Sequence, residues 1–194
     1  MAGDVRGILL CGGRASRFGS DKLLAPLRGA TLVSHSARNL VAGAGNALAV
    51  VPTGAAALRR ALEAAGCDVL ESPDTSRGLG ASLAAGIAHS AQAAGWIVAL
   101  GDMPFIRPGT IAAVRAALEA GASIAAPVLA PGMARGHPVG FSRALQAELA
   151  ALDGDEGARA VIERHRAEVT TLEVDDAGIV ADIDRPADLD KHSR

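Results

Sequence analysis

Short apolar segments alternate along this chain with segments of helical spacing, and this alternation constrains the fold more than any other feature. Apolar runs at residues 5–10, 47–51, 68–71, 96–100 and 123–128 have the length of buried strands. Helical spacing occupies residues 31–41, 55–65, 80–92 and 109–120. This order predicts an α/β fold, a single-domain Rossmann-like three-layer α/β/α sandwich with a mostly parallel sheet.

The last third of the chain has a less regular order. A loop rich in proline and glycine is expected at residues 130–136, and a short strand at 138–141. Helices are expected at 142–152 and 157–166, and strands at 169–174 and 179–183. Because the 194 residues contain no linker, repeat or low-complexity tract, we expect one domain.

Composition excludes several functional classes. With 49% hydrophobic residues, 21% charged residues and a net charge of −2, the chain is neither disordered nor a nucleic-acid or polybasic membrane binder. Residues 78–101 carry no charge, but their alanine and glycine content indicates a helix and a strand, not a membrane span. Cys11 and Cys67 are too few for a disulfide framework, and no signal peptide is recognisable, so we expect a cytoplasmic protein.

A glycine-rich loop with three cations follows the first strand. Residues 8–22 read Ile-Leu-Leu-Cys-Gly-Gly-Arg-Ala-Ser-Arg-Phe-Gly-Ser-Asp-Lys. Glycines let backbone N–H groups approach an anion closely, and Arg14, Arg17 and Lys22 add positive charge. The spacing fits neither a Walker A loop nor a dinucleotide fingerprint. We interpret the segment as a triphosphate-binding loop; the alternative is a tight turn with surface arginines.

Carboxylates follow two of the predicted strands. Asp102 comes just after strand 96–100, at the end where open parallel sheets bind ligands, and a carboxylate there suits Mg²⁺. The alternative role for Asp102 is to cap the next helix. Alternation within strand 179–183 places Asp182 and Asp184 on one face, an arrangement that is costly unless a cation or solvent separates them. Gly78, Gly80 and Ser82 form either a ligand-binding helix start or an ordinary one.

The glycine-rich loop resembles that of the nucleotidyltransferases that activate sugars, isoprenoid precursors and molybdopterin. The shared pattern is Leu-Cys-Gly-Gly-x-x-x-Arg-Phe-Gly-x-x-Lys, and Gly-Asp-Met-Pro at residues 101–104 resembles the metal-binding motif of that family. The resemblance implies a fold of the nucleotide-diphospho-sugar transferase type. It also implies that Arg17, Lys22 and Asp102 are catalytic, that Asp102 binds the metal, and that the nucleotide contacts Leu10, Cys11, Gly12, Gly13, Arg17 and Lys22.

Three further segments resemble the molybdenum cofactor cytidylyltransferases in particular. The segment from Gly78 to Ile87 is similar to one that lies beside the base and ribose, which implies nucleotide contacts for Gly80 and Ser82. Segments Gly-His-Pro-Val and Gly-Asp-Glu-Gly-Ala-Arg imply acceptor contacts for His137, Asp155 and Arg159. The segment Asp-Ile-Asp-Arg-Pro implies that Asp184, and next Asp182, complete the metal site, although Arg185 replaces the family's threonine.

The resemblance therefore implies transfer of CMP from CTP to molybdopterin, with Mg²⁺ or alternatively Mn²⁺ as the metal ion. About residues 1–128 would bind the nucleotide, and about residues 129–194 would bind the acceptor and complete the metal site. Gly12 is the residue found in guanylyltransferases, so a GTP-dependent enzyme is one alternative. Another alternative is a sugar-phosphate or isoprenoid-phosphate nucleotidyltransferase. The last is a non-catalytic protein, a nucleotide-sensing or chaperone-like partner of a molybdoenzyme. As partners we expect molybdopterin and a molybdoenzyme or its chaperone, but neither nucleic acid nor membrane.

Overall fold

The computed structural model describes residues 4–12, 22–129 and 135–184, and the strands and helices follow one another in the expected alternating order. The strands are β1 (Val5–Leu10), β2 (Pro26–Leu27), β3 (Ala30–Thr31), β4 (Ala47–Val51), β5 (Asp68–Glu71), β6 (Gly95–Leu100), β7 (Ile124–Leu129), β8 (Val139–Ser142) and β9 (Val169–Val174). The α-helices are α1 (Leu32–Ala44), α2 (Ala56–Ala64), α3 (Leu79–His89), α4 (Pro108–Glu119), α5 (Gln146–Ala150) and α6 (Arg159–Arg164).

Seven strands form one central sheet in the order β5-β4-β1-β6-β8-β7-β9. Strand β8 is antiparallel to both of its neighbours, and the other pairs are parallel. Strand β1 lies between β4 and β6, with Leu10 opposite Val50 and Leu100. The ends of these three strands therefore meet at one edge of the sheet. The segments that follow β1 and β6, which begin at Cys11 and Gly101, leave the sheet side by side.

Helices cover both faces of the sheet. Successive strand residues point to opposite sides, so each face carries apolar side chains that a helix can bury. On one face Leu9 and Ile97 pack with residues of α1, α2 and α4. On the other face Ile8 and Trp96 pack with residues of α3, α5 and α6. This arrangement confirms the predicted mostly parallel α/β/α sandwich in one domain. Within the described ranges, no helix combines the length and the hydropathy that a membrane span requires.

The predicted strand at residues 179–183 is wrong. Residues Ala177–Val180 form a 3-10 helix, and residues 181–184 have no regular structure. Their backbone hydrogen bonds go to distant loops instead of a neighbouring strand: Ile179 O accepts from His137 N at 2.8 Å, and Ile183 N donates to Asp102 O at 3.0 Å. Burial still alternates as expected, since Ile183 is buried whereas Asp182 and Asp184 are exposed.

The predicted helices after β8 are shorter than expected. Residues 142–152 contain a 3-10 helix, Arg143–Leu145, followed by the five residues of α5, and α6 has six residues. Helices of this length are not stable alone and depend on packing. Leu149 of α5 and Val161 of α6 supply that packing, since both are buried against the sheet face that carries Trp96.

Candidate active site

A lysine and two aspartates meet where β1 and β6 end. Lys22 opens a 3-10 helix, Lys22–Leu24, and Asp102 is the second residue after β6. Asp184 comes from the end of the described chain, and the bond from Ile183 N to Asp102 O holds this segment beside the loop after β6. Three segments that are remote in sequence are thus brought to the edge where open α/β sheets bind ligands.

The Lys22 ammonium bridges the two carboxylates. Its Nζ atom donates to Oδ2 of Asp102 at 2.9 Å and to Oδ1 of Asp184 at 3.0 Å. Burial alone would lower the pKa of Lys22, but the hydrogen bonds and negative charges of the two aspartates outweigh burial and raise the pKa. The lysine therefore remains positively charged throughout the physiological range.

A third carboxylate, that of Asp182, belongs to the same cluster. Partial loss of water around its carboxylate raises its pKa, and the negative charges of Asp184 and Asp102 raise it further. The structure thus brings together Asp102, Asp182 and Asp184, the three carboxylates that the sequence proposes as metal ligands. Their electrostatic environment favours an additional cation, because each carboxylate raises the free energy of ionising its neighbours.

Carboxylate oxygens are the ligands that Mg²⁺ and Mn²⁺ prefer, so the donor set suits a hard divalent ion. In the described part of the chain, however, no three His, Cys, Asp or Glu side chains are arranged to hold a metal ion by themselves. This pattern is typical of Mg²⁺ sites with one or two protein carboxylates, where waters and substrate phosphates complete the coordination. The residues present therefore fit a divalent ion that arrives with an anionic ligand.

The glycine-rich loop is described only at its start. Leu10 and Cys11 are buried, and Gly13 and Arg17 lie outside the described residues. Burial raises the pKa of the Cys11 thiol well above its ordinary value, and the nearby Cys67 and Asp102 raise it further. Cys11 is therefore a neutral, packed thiol and not a reactive thiolate.

Gly12 is held against the segment that leads into α3. A Cβ atom on Gly12 would lie 2.8 Å from Cβ of Thr75 and 3.1 Å from Oγ of Ser82. The Ser82 hydroxyl is fully buried and donates to Gly78 O at 2.8 Å, so its hydrogen bond is made within the first turn of α3. Gly12 and Ser82, which are each predicted to contact the nucleotide, therefore lie side by side at the start of α3.

The start of α3 lies under the loop of residues 153–157. Gly80 N donates to Gly154 O at 2.8 Å, and a Cβ on Gly80 would lie 2.6 Å from Asp153 O. An ion pair of 2.8 Å joins Arg77 to Asp153 across the same contact. The structure therefore brings the predicted nucleotide-binding Gly80 beside the loop that carries Asp155. Arg159 is exposed at the first position of α6.

His137 lies at the same edge, just before β8. A cis peptide bond joins it to Pro138, and burial lowers the pKa of its ring against the opposing effects of the Val98 carbonyl, Asp102 and Asp182. The imidazole is therefore close enough to Asp102 and Asp182 for their charges to act on it. Within the described residues its buried Nδ1 atom has no hydrogen-bond partner. A neutral ring nitrogen is thus available to accept a hydrogen bond from a ligand or a water molecule.

Asp176 is a structural residue of this region that the sequence reasoning missed. Its buried carboxylate accepts from Arg107 N at 2.8 Å, Thr110 Oγ1 at 2.6 Å and Gly178 N at 3.0 Å. It therefore caps α4 from a distance and anchors the segment that leads to Asp184. The Asp-Ala-Gly pattern at residues 176–178 signals an Asx turn, which could have indicated part of this role.

The fold and the polar cluster define a doubly wound α/β protein with lysine and aspartate side chains at the edge where such sheets bind ligands. A family model described as the MobA-like NTP transferase domain matches residues 7–169. The chain belongs to this family and is a nucleotidyltransferase. A comparison with curated proteins finds no match.

Solved structures support this membership. A crystal structure of Rv0371c from Mycobacterium tuberculosis H37Rv is 31% identical, with a TM-score of 0.83, over 100% of this chain and 98% of that chain. A manganese complex of Rv0371c is 28% identical, with a TM-score of 0.80, over 100% and 99% of the two chains. A nucleotidyl transferase from Methanothermobacter thermautotrophicus shares the fold at 21% identity and a TM-score of 0.79, over 98% and 96%.

Proposed function

We propose that this protein transfers CMP from CTP to the terminal phosphate of molybdopterin and releases pyrophosphate. The observation that carries the proposal is the cluster of Lys22, Asp102 and Asp184, which combines a buried cation with oxygen ligands for a divalent ion. The cluster lies at the ligand-binding edge of the sheet, directly beside the start of the glycine-rich loop. In this proposal the enzyme acts in the cytoplasm and hands its product to a molybdoenzyme or its chaperone.

Catalysis in this proposal consists of positioning and charge neutralisation. Lys22, together with Arg17, neutralises the triphosphate, and Asp102 and Asp184 hold Mg²⁺ or Mn²⁺, with Asp182 beside them. Such an ion, when bound, offsets the negative charge that develops on the phosphate oxygens. The acceptor phosphate is already anionic at neutral pH, so it attacks the α-phosphorus in line without a strong general base. The manganese complex of Rv0371c supports the choice of a divalent ion.

The packing of Gly12 explains its glycine without reference to the base. Cytidylyltransferases usually have alanine where this chain has Gly12, and glycine at this position is typical of guanylyltransferases. Here the backbone of Gly12 lies against Thr75, and an alanine methyl group would be 2.8 Å from Cβ of that residue. Glycine at this position therefore has a steric cause within the protein. The similarity of the Ser82 segment to that of the cytidylyltransferases therefore supports CTP in this proposal.

The acceptor side of the proposal involves His137, Asp155 and Arg159. His137 is the strongest of the three, because its buried ring lies near Asp102 and Asp182 and its Nδ1 atom lacks a partner within the described residues. A pterin carries N–H donors that such an acceptor nitrogen can bind. We therefore assign about residues 1–128 to nucleotide binding and about residues 129–194 to the acceptor and the metal site.

Thermal unfolding with Mg²⁺ and each of CTP, GTP, ATP and UTP tests the choice of nucleotide. A ligand at about 100 times its dissociation constant adds roughly 2.7 kcal/mol, which corresponds to about 5–10 °C in a domain of this size. The proposal predicts a CTP-selective rise, followed by pyrophosphate release when molybdopterin is added. A GTP-selective rise would support the guanylyltransferase alternative. Pyrophosphate release only with a sugar or isoprenoid phosphate would show that this phosphate, and not molybdopterin, is the acceptor.

A further inference from the structure

The Lys22 ammonium occupies the position between the two carboxylates that the proposed function assigns to a divalent ion. It contacts Oδ2 of Asp102 and Oδ1 of Asp184 at 2.9 and 3.0 Å. A metal ion held between both aspartates competes with the ammonium for the same two carboxylates, and two cations at such distances repel each other strongly. We propose that Lys22 competes with the metal ion for the two aspartates. In this proposal Lys22 releases the aspartates only when a triphosphate binds the lysine.

The packing of Lys22 directs its charge towards the aspartates. The residue is only 8% exposed, and the hydrogen bond from Ala25 N to Lys22 O at 3.1 Å closes the turn that fixes its backbone. The carboxylates are more exposed to solvent than the lysine, since the side chain of Asp102 is 27% exposed and that of Asp184 is 56% exposed. A ligand can therefore reach the carboxylates from solvent, whereas the lysine has entered the cluster from the protein side.

The two aspartates keep their places when the lysine leaves. Asp102 follows a central strand, and the hydrogen bond of 3.0 Å from Ile183 N to Asp102 O ties the backbone next to Asp184 to the same loop. Loss of the ammonium would therefore remove one positive charge from between two carboxylates at a fixed spacing. The pair binds a cation more tightly without the ammonium than with it.

A triphosphate offers Lys22 a more highly charged partner than either aspartate. Binding of the triphosphate would thus free the carboxylate oxygens, so nucleotide and metal ion assist each other. This assistance is reciprocal, because each ligand changes the affinity of the other by the same factor. The inference rests on the proposed function. It adds that the nucleotide-free enzyme binds metal ions weakly because Lys22 lies between the two aspartates.

Binding of Mn²⁺ to the nucleotide-free protein tests the competition, because the free ion gives an electron paramagnetic resonance signal that disappears on binding. We expect Lys22→Gln and Lys22→Met to bind Mn²⁺ at least about tenfold more tightly than the wild type. The matched control is Arg38→Gln, which removes one positive charge from the exposed side of α1 and should leave the Mn²⁺ affinity unchanged. Thermal unfolding establishes that each variant is folded.

Unchanged or weaker Mn²⁺ binding in both folded Lys22 variants would overturn the inference. Insensitivity of the Mn²⁺ affinity to Asp102→Asn would also overturn it, because the ion would then bind elsewhere. Failure of the proposed function has a different readout, the absence of pyrophosphate release by the wild type with any nucleotide and acceptor. That failure leaves the comparison of Mn²⁺ affinities intact.

Discussion

Replacing Gly12 by alanine separates a packing role of this glycine from a role in choosing the base. The added methyl carbon would lie 2.8 Å from Cβ of Thr75, 3.0 Å from Cγ2 of Thr75 and 3.1 Å from Oγ of Ser82. Ser82 cannot move away easily, because it is fully buried and its hydroxyl donates to Gly78 O. The contact with Thr75 involves the branched carbon of a buried side chain, which rotation about χ1 does not displace.

The size of the effect follows from the cost of overpacking. Inserting a methylene group into a well-packed interior typically costs about 1–3 kcal/mol. In a domain of this size that loss lowers the midpoint of thermal unfolding by roughly 2–12 °C. We expect Gly12→Ala to show this decrease and to keep the same order of preference among the four nucleotides. The assay is thermal unfolding without ligand, repeated with Mg²⁺ and each nucleotide.

A second variant sharpens the comparison. Thr75→Ser removes Cγ2, one of the two atoms closest to the new methyl group, so it should recover part of the stability in the double variant. An unfolding midpoint of Gly12→Ala equal to that of the wild type would refute the steric argument. A change from CTP to GTP preference, or the reverse, would show that Gly12 acts on the base and not only on Thr75.

Three further predictions concern the active-site edge and the surface. Asp102→Ala should abolish pyrophosphate release but leave the unfolding midpoint unchanged, since Lys22 retains its bond to Asp184; normal turnover would remove Asp102 from the site. Asp176→Ala should cost about 3 kcal/mol in the free energy of unfolding, because three donors lose their acceptor; a denaturant titration showing no loss would contradict this. Hydrogen bonds to two glutamates raise the pKa of His165 in the folded state. The protonated ring therefore stabilises the fold fully below the unfolded-state pKa of about 6.5, and this stabilisation is lost as the pH rises through the folded-state pKa. The wild type should therefore lose its advantage over His165→Gln at alkaline pH, and a constant difference across a pH series of unfolding midpoints would speak against it.

The sequence by itself determined the local elements of the fold. The bounds of β1, β4, β5 and β9 agree with the predicted segments, because each strand is a short run whose residue pattern is set by adjacent positions in the sequence. The strand predicted at residues 179–183 is wrong because contacts remote in sequence decide its structure. Ile179 and Ile183 are indeed buried, whereas Val180 is exposed. Asp176 and loops distant in sequence take the hydrogen bonds of this segment, and no local pattern records those partners.

The sequence also determined the chemical types at the site: a cation in the glycine-rich loop and carboxylates after the strands. Only the tertiary structure decided that the side chain of Lys22 would lie between Asp102 and Asp184, 80 and 162 positions further along the chain. It likewise decided that Gly154 would cover Gly80, and that Thr75 would leave no room at Gly12. The physical reason is that spacing along the chain fixes which face a side chain occupies, whereas the packing of parallel strands fixes which remote segments share an edge.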